Sequence, residues 1–179
     1  MTQLLAPLAA VFLLAACAAN PGGPTATAQL QPTRGNSASG SVTFTQQGDK
    51  VLVSGEIRGL KPNAEHGFHV HDKGDCSSGD GMSTGGHFNP TGSTHGAHHQ
   101  AMHHVGDLPS LMADANGTAR ISFESSSIAV GTGAANIVGR GLIVHRDPDD
   151  FTTQPTGNAG PRLACAVISL AQQRSMGAY

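Results

Sequence analysis

Gly67-Phe68-His69-Val70-His71 alternates apolar and imidazole side chains, and an extended strand is the conformation that separates them. Successive strand residues face opposite ways, so His69 and His71 point to one side while Phe68 and Val70 enter an apolar layer on the other. Two imidazoles then converge on one spot. Downstream come Gly86-His87-Phe88-Asn89-Pro90, His95, His104-Val105-Gly106-Asp107 and Val144-His145. Copper(II) favours imidazole nitrogen in a tetragonal set, and zinc favours four tetrahedral ligands from His, Asp or Cys. The chain offers both: His69, His71 and His145 on strands with His87 opening a long loop, then His95, His104 and Asp107.

The rest of the composition fits a scaffold of short strands. The chain has 179 residues, 24 of them Gly, with no Trp and only 12% charged residues. That length leaves room for one domain with a full core, and the composition suits strands and well-made loops better than long charged helices. The expected class is all-β. A net charge of -2 without a basic cluster argues against a nucleic-acid partner. All ten histidines lie between His66 and His145.

Working outward, residues 25–31 form a plausible first strand, and Arg34-Gly35-Asn36 a turn. Val42 and Phe44 alternate with polar residues, Gln47-Gly48-Asp49 turns the chain, and Val51, Val53, Gly55 and Ile57 repeat at period two, which predicts a hairpin. Lys61-Pro62-Asn63 breaks it, and residues 65–71 make the next strand. Residues 72–109 lack apolar alternation, and so long a loop needs metal or disulfide ties to order it. Residues 111–113 and 119–123 flank Asn116-Gly117, a strong hairpin signal. Ile137-Val138 and Leu142-Ile143-Val144-His145 surround Gly139-Arg140-Gly141, a second loop spans 146–162, and residues 163–170 end the set. Eight strands are expected, with a loose tail over 172–179.

Ahead of this domain, the apolar run at residues 4–16 is too short to span a bilayer comfortably and reads as an export signal. It ends in Leu14-Ala15-Ala16-Cys17, which resembles a bacterial lipobox, with Cys17 lipidated as the first mature residue. The alternative is ordinary cleavage near Ala18 or Ala19; the Lys or Arg usual before the run is missing. On the lipobox reading, residues 1–16 are the signal, 17–24 a tether, and the protein is periplasmic, touching the membrane only through its anchor. Cys76 and Cys165 are then left, either as a disulfide in an oxidising compartment or as separate thiols.

The quoted histidine segments, together with His104-Val105-Gly106-Asp107-Leu108 and Gly157-Asn158-Ala159-Gly160-Pro161-Arg162-Leu163-Ala164-Cys165, resemble the signature segments of copper-zinc superoxide dismutases. The likeness runs from about residue 25 to 171, in order and at family spacing, and with the lipobox it resembles the exported bacterial, lipoprotein-type form. It implies a Greek-key β-barrel or sandwich and the conversion of superoxide to dioxygen and hydrogen peroxide. It implies copper on His69, His71, His87 and His145, zinc on His87, His95, His104 and Asp107, one ion of each per subunit, and His87 shared as catalytic proton carrier. Asp149 matches the carboxylate that orients a histidine of each site, Cys76 and Cys165 the family disulfide, and Arg162 the arginine that guides superoxide. A non-catalytic copper- and zinc-binding periplasmic lipoprotein is the alternative; loss of Arg162 or a copper ligand would favour it, and neither is lost.

Some residues stand outside that pattern. Residues 151–161 carry no Lys or Glu, so the usual steering charges are absent there, and Lys73 is the candidate substitute. His66 reads as a packed, hydrogen-bonded strand histidine. His98, His99 and His103 read as solvated loop residues in preference to an auxiliary metal-capture patch. Nothing in the sequence selects a monomer or a dimer.

Overall fold

A computed structural model describes residues 22–172 of the chain. The signal and lipobox expected in residues 1–17 lie outside the described residues, as does most of the expected tail. Ten strand segments run in order: β1 (Thr25–Pro32), β2 (Ser39–Gln47), β3 (Lys50–Arg58), β4 (Glu65–His66), β5 (Phe68–His71), β6 (Leu111–Met112), β7 (Ala119–Ser125), β8 (Gly141–His145), β9 (Arg162–Val167) and β10 (Ser169–Leu170). The one helical element among the described residues is a single 3-10 turn, Met82–Thr84.

The ten segments are the eight expected strands with two of them broken. The strand expected over 65–71 splits at Gly67, whose N–H donates to Asp147 O at 2.9 Å and whose carbonyl accepts from His145 N at 2.8 Å. A Cβ at Gly67 would stand 2.8 Å from Ala159 Cβ and 3.2 Å from His69 Cε1, so only glycine admits that approach. The last strand splits at Ile168, which exchanges backbone bonds with Gly139 and Arg140.

Seven strands lie in the order β5-β8-β9-β1-β2-β3-β7, with β10 also on β1 and a separate β4-β6 pair. All the pairings are antiparallel. The architecture is the expected all-β Greek-key barrel. Period-two patterning works as read in β2 and β3: Phe44 lies opposite Val53 and Val42 opposite Gly55, and the side chains of Val42, Phe44, Val51, Val53 and Ile57 are all fully buried. The Asn116-Gly117 hairpin does not form as expected. The turn closes, with Asp114 N–H on Thr118 O at 2.9 Å, but β6 pairs with β4 and β7 with β3. A turn signal fixes local chain reversal; the partners of these strands are set by burial of Leu111 on one side and of Ala119 and Ile121 on the other.

Sheet topology leaves one edge of β5 free, and the long loop takes it. Val70 N–H donates to Gly106 O and Val70 O accepts from Phe88 N–H, at 2.9 and 2.8 Å, while Asp72 N–H donates to Gly86 O at 2.9 Å. Isolated bridges thereby set His69 opposite Asp107 and His71 opposite His87. Phe88 and Leu108, on the same two loop segments, are buried in the core. The loop is held by an edge-strand ladder and by apolar anchors as well as by polar ties. Cys76 and Cys165 form a disulfide joining this loop to β9.

Candidate metal centre

Strand β5 delivers His69 and His71, the end of β8 delivers His145, and the loop segment laid along β5 delivers His87. One nitrogen from each of these four rings lies within 4.8 Å of the others, and all four residues are buried. A second group, His87, His95, His104 and Asp107, meets the same distance and burial conditions. His87 belongs to both. The residues that the sequence separates by up to 76 positions are thus brought to two adjoining points, His69 to His145 being the widest span.

Whether these groups suit metal ions is answered by their free nitrogens. His69 Nδ1 and His87 Nε2 are buried without a hydrogen-bond partner, as is His66 Nε2 outside both groups, while His95 Nδ1 stands 3.0 Å from Asp107 Oδ2. An orphaned buried lone pair is costly unless something coordinates it. Meanwhile the opposite nitrogen of each ring is engaged. His69 Nε2–H donates to Asp149 Oδ2 at 2.6 Å, His95 Nε2–H to Asp149 Oδ1 at 2.8 Å, His71 Nδ1–H to Gly85 O at 2.9 Å, and His145 Nδ1–H to Gly160 O at 3.0 Å. These bonds fix tautomer and orientation, which is how protein surroundings aim imidazole ligands. His71 Nε2 and His145 Nε2 then face each other at 3.4 Å with lone pairs inward, an approach that an ion between them would resolve. The donor sets fit copper and zinc.

Electrostatics divide the two groups. Burial pushes His71, His87 and His145 down, His87 to about 4 and His145 to about 3, with neighbouring rings adding to the effect at each. For His87 the bond to Asp107 opposes it. These rings stay neutral in the metal-free protein at pH 7, ready to ligate. Burial also pulls His95 down, but the Asp107 and Asp149 carboxylates outweigh it and raise the ring to about 9. Burial would raise Asp107, yet its contacts with His104, His87 and His95 hold it well below the usual carboxylate range; Asp149 is held low in the same way by His69 and His95. The first group is imidazole alone, and the second is built on a carboxylate. Asp107 Oδ1 accepts from His87 Nδ1–H at 2.7 Å, and Oδ2 from the backbone N–H of His104 and Gly96 at 2.8 and 3.2 Å.

Arg162 begins β9 beside the first group. Its guanidinium donates to Gly81 O at 2.5 Å, Thr84 Oγ1 at 2.8 Å and Gly85 O at 2.7 Å. An open cleft of about 260 Å³ lies over it, lined by His71, Met82, His145, Thr156, Asn158, Ala159, Gly160 and Arg162. Arg162 is the one charged group on that lining, and Lys73, the expected substitute for the missing steering charges, is not part of it.

Several contributors escaped the sequence reading. Gly85 O accepts from both His71 and Arg162. Gln154 clamps the backbone of His95, accepting from its N–H at 2.9 Å and donating to its carbonyl at 3.0 Å. A backbone acceptor and a loop amide carry no compositional signal. Gly157, at φ 67°, lies against the Asp149–His95 contact, where a Cβ would overlap both side chains. His66 is buried and donates from Nδ1 to His145 O at 2.8 Å, as its strand reading expected. His98 and His103, expected to be solvated, are half-buried and hydrogen-bonded; only His99 is exposed.

Comparison with known proteins agrees with this geometry. A family model described as copper/zinc superoxide dismutase matches residues 38–168. A curated relative, "Superoxide dismutase [Cu-Zn]" of Paramecium bursaria Chlorella virus 1, is 46% identical over 140 residues, covering 75% of this chain and 74% of the relative. A crystal structure of "the clock protein EA4" superposes with a TM-score of 0.75 at 43% identity, covering 82% of this chain and 94% of that one. The family match takes in both histidine groups, the disulfide and Arg162, and the chain belongs to the copper/zinc superoxide dismutase family.

Proposed function

We propose that His69, His71, His87 and His145 hold the copper of this dismutase, that His87, His95, His104 and Asp107 hold its zinc, and that Arg162 receives the substrate. The observation that carries this assignment is the pair of buried, unpartnered nitrogens on His69 and His87, each belonging to a group of four converging ligand residues. The all-imidazole group suits copper, and the group with a carboxylate suits zinc. The protein is a superoxide dismutase of the copper/zinc family, and copper held by His69, His71, His87 and His145 would supply one-electron redox chemistry, by which two superoxide ions and two protons give dioxygen and hydrogen peroxide.

Around that chemistry, the chain's own residues bind, orient and move protons. Three of the five guanidinium donors of Arg162 are used on residues 81–85, which leaves two, and the positive charge, for a small anion in the cleft. Steering into a positive cleft raises on-rates about 10- to 1,000-fold, an effect for which superoxide dismutase is itself a standard instance. His87 holds its Nδ1 side in the second group while Nε2 faces the first, so it can hold or release one proton at Nε2 without leaving its place. Asp149 keeps His69 and His95 aligned, and Gly85 O and Gly160 O do so for His71 and His145.

The proposal extends to the cell. Residues 1–16 act as an export signal, Cys17 is lipidated, residues 17–24 tether the domain, and the enzyme works in a bacterial periplasm anchored to the envelope. Support comes from the Leu14-Ala15-Ala16-Cys17 sequence and from the disulfide, which suits an oxidising compartment.

Purified protein loaded with both metals is expected to remove superoxide in a cyanide-sensitive way; full metal content without turnover would overturn the site assignment. Arg162→Ala should lower the rate and leave copper content nearly unchanged, and loss of copper would refute its substrate role. Membrane fractionation that disappears in Cys17→Ser tests the anchor, and an equal soluble pool in both proteins counts against it.

A further inference from the structure

Two half-buried histidines that neither metal group uses are anchored to backbone carbonyls as two of the ligands are. His98 Nδ1–H donates to the carbonyl of Asp107 at 2.9 Å, and His103 Nδ1–H donates to the carbonyl of His104 at 2.6 Å. A carbonyl can only accept, so Nδ1 carries the proton in both rings, and Nε2 is left with its lone pair. Neither Nε2 has a hydrogen-bond partner among the described residues. This is the backbone-anchored imidazole arrangement that orients His71 and His145.

Spacing points the same way. The two rings stand 5.5 Å apart between centroids. Within the two metal groups, His71 and His145 stand 5.6 Å apart, and His87 and His95 each stand 5.5 Å from His104. Phe123 packs edge-on to His98 at 6.0 Å and limits its rotation. His98, though not His103, also lines an open cavity of about 310 Å³ together with Glu65 and the exposed His99, so its ring is open to solvent on that side. Both rings hang from carbonyls of residues in the second metal group.

We infer that His98 and His103 bind one additional copper(II) ion through their Nε2 atoms, at a surface site backed by the second metal group. Among first-row divalent ions, a two-imidazole site favours copper most. The inference does not depend on which of the two buried groups takes which metal.

The test is copper(II) titration of holoprotein already filled with one copper and one zinc, read by native mass spectrometry and electron paramagnetic resonance. One further equivalent is expected, with a nitrogen-coordinated signal distinct from that of the buried copper. H98Q/H103Q should lose it, each single substitution should weaken it at least tenfold, and superoxide removal should stay unchanged as a check on folding; H99Q should keep the ion. Should the double variant lose turnover, the wild-type stoichiometry and the single variants decide. Stoichiometry that stops at two ions, a third ion that survives in H98Q/H103Q, or zinc(II) bound at least as tightly as copper(II) would overturn the inference.

Discussion

The β1-β2-β3-β7 face and the loop from Asp72 to Pro109 are ordered by different forces. In the strands, backbone ladders run without interruption across six to nine residues and the inward side chains are apolar except for the buried Ser125. The loop has one short ladder against β5, three buried apolar anchors (Phe88, Val105 and Leu108), a disulfide, and otherwise polar ties that converge on Asp107 and Asp149. Burial of apolar area needs no ligand, whereas converging lone pairs are stabilised only when something sits between them. The barrel is therefore expected to stand on its own, and the loop to depend on its ions.

Removing both metals gives the largest contrast. An ion at a thousandfold its dissociation constant adds about 4 kcal/mol per site, so stripping two sites should lower the unfolding midpoint more than any single substitution. Amide exchange should speed up at Gly96 and His104, whose N–H groups rest on Asp107, and stay slow in β2 and β3. Fast exchange across the barrel would break the comparison. Phe44→Ala is next, at about 3–5 kcal/mol of lost stability by denaturant titration, with both metals retained; loss of metal would show that core and site are not separable.

Replacing both Cys76 and Cys165 by Ser should cost about 2–5 kcal/mol. The same variant should slow turnover at constant copper content, because the loop it frees carries the three acceptors of Arg162. Smaller again is Asn at Asp149. Affinity for both metals should fall about 10- to 100-fold, or about 1.4–2.7 kcal/mol, measured by competition with a chelator. An effect confined to one metal would mean that Asp149 does not serve both groups.

Where periodicity governs structure, the sequence is legible. Val51, Val53 and Ile57 read as one buried face and are one. Long apolar-free stretches are legible only as loops: nothing at period two shows that residues 86–88 and 106–108 run along β5, because that edge is left free by sheet topology and not by a local pattern. Asn116-Gly117 encodes a reversal and says nothing about whom the flanking strands pair with. The metal-group residues are singled out by their spacing within the quoted segments, and the family resemblance groups them. Asp149 had no such local signal. The charge of Lys73 fixes no position, and the hydrogen bonds of His98 and His103 to backbone carbonyls leave no mark on composition.

Asp149 has one further consequence. A single carboxylate restrains His69 of one group through Oδ2 and His95 of the other through Oδ1. Whichever ion arrives first freezes that carboxylate, and the second arrives at a ring already held in place. The two metals should thus bind with positive cooperativity, and thermodynamic reciprocity requires that copper raise the affinity for zinc by the same factor that zinc raises it for copper.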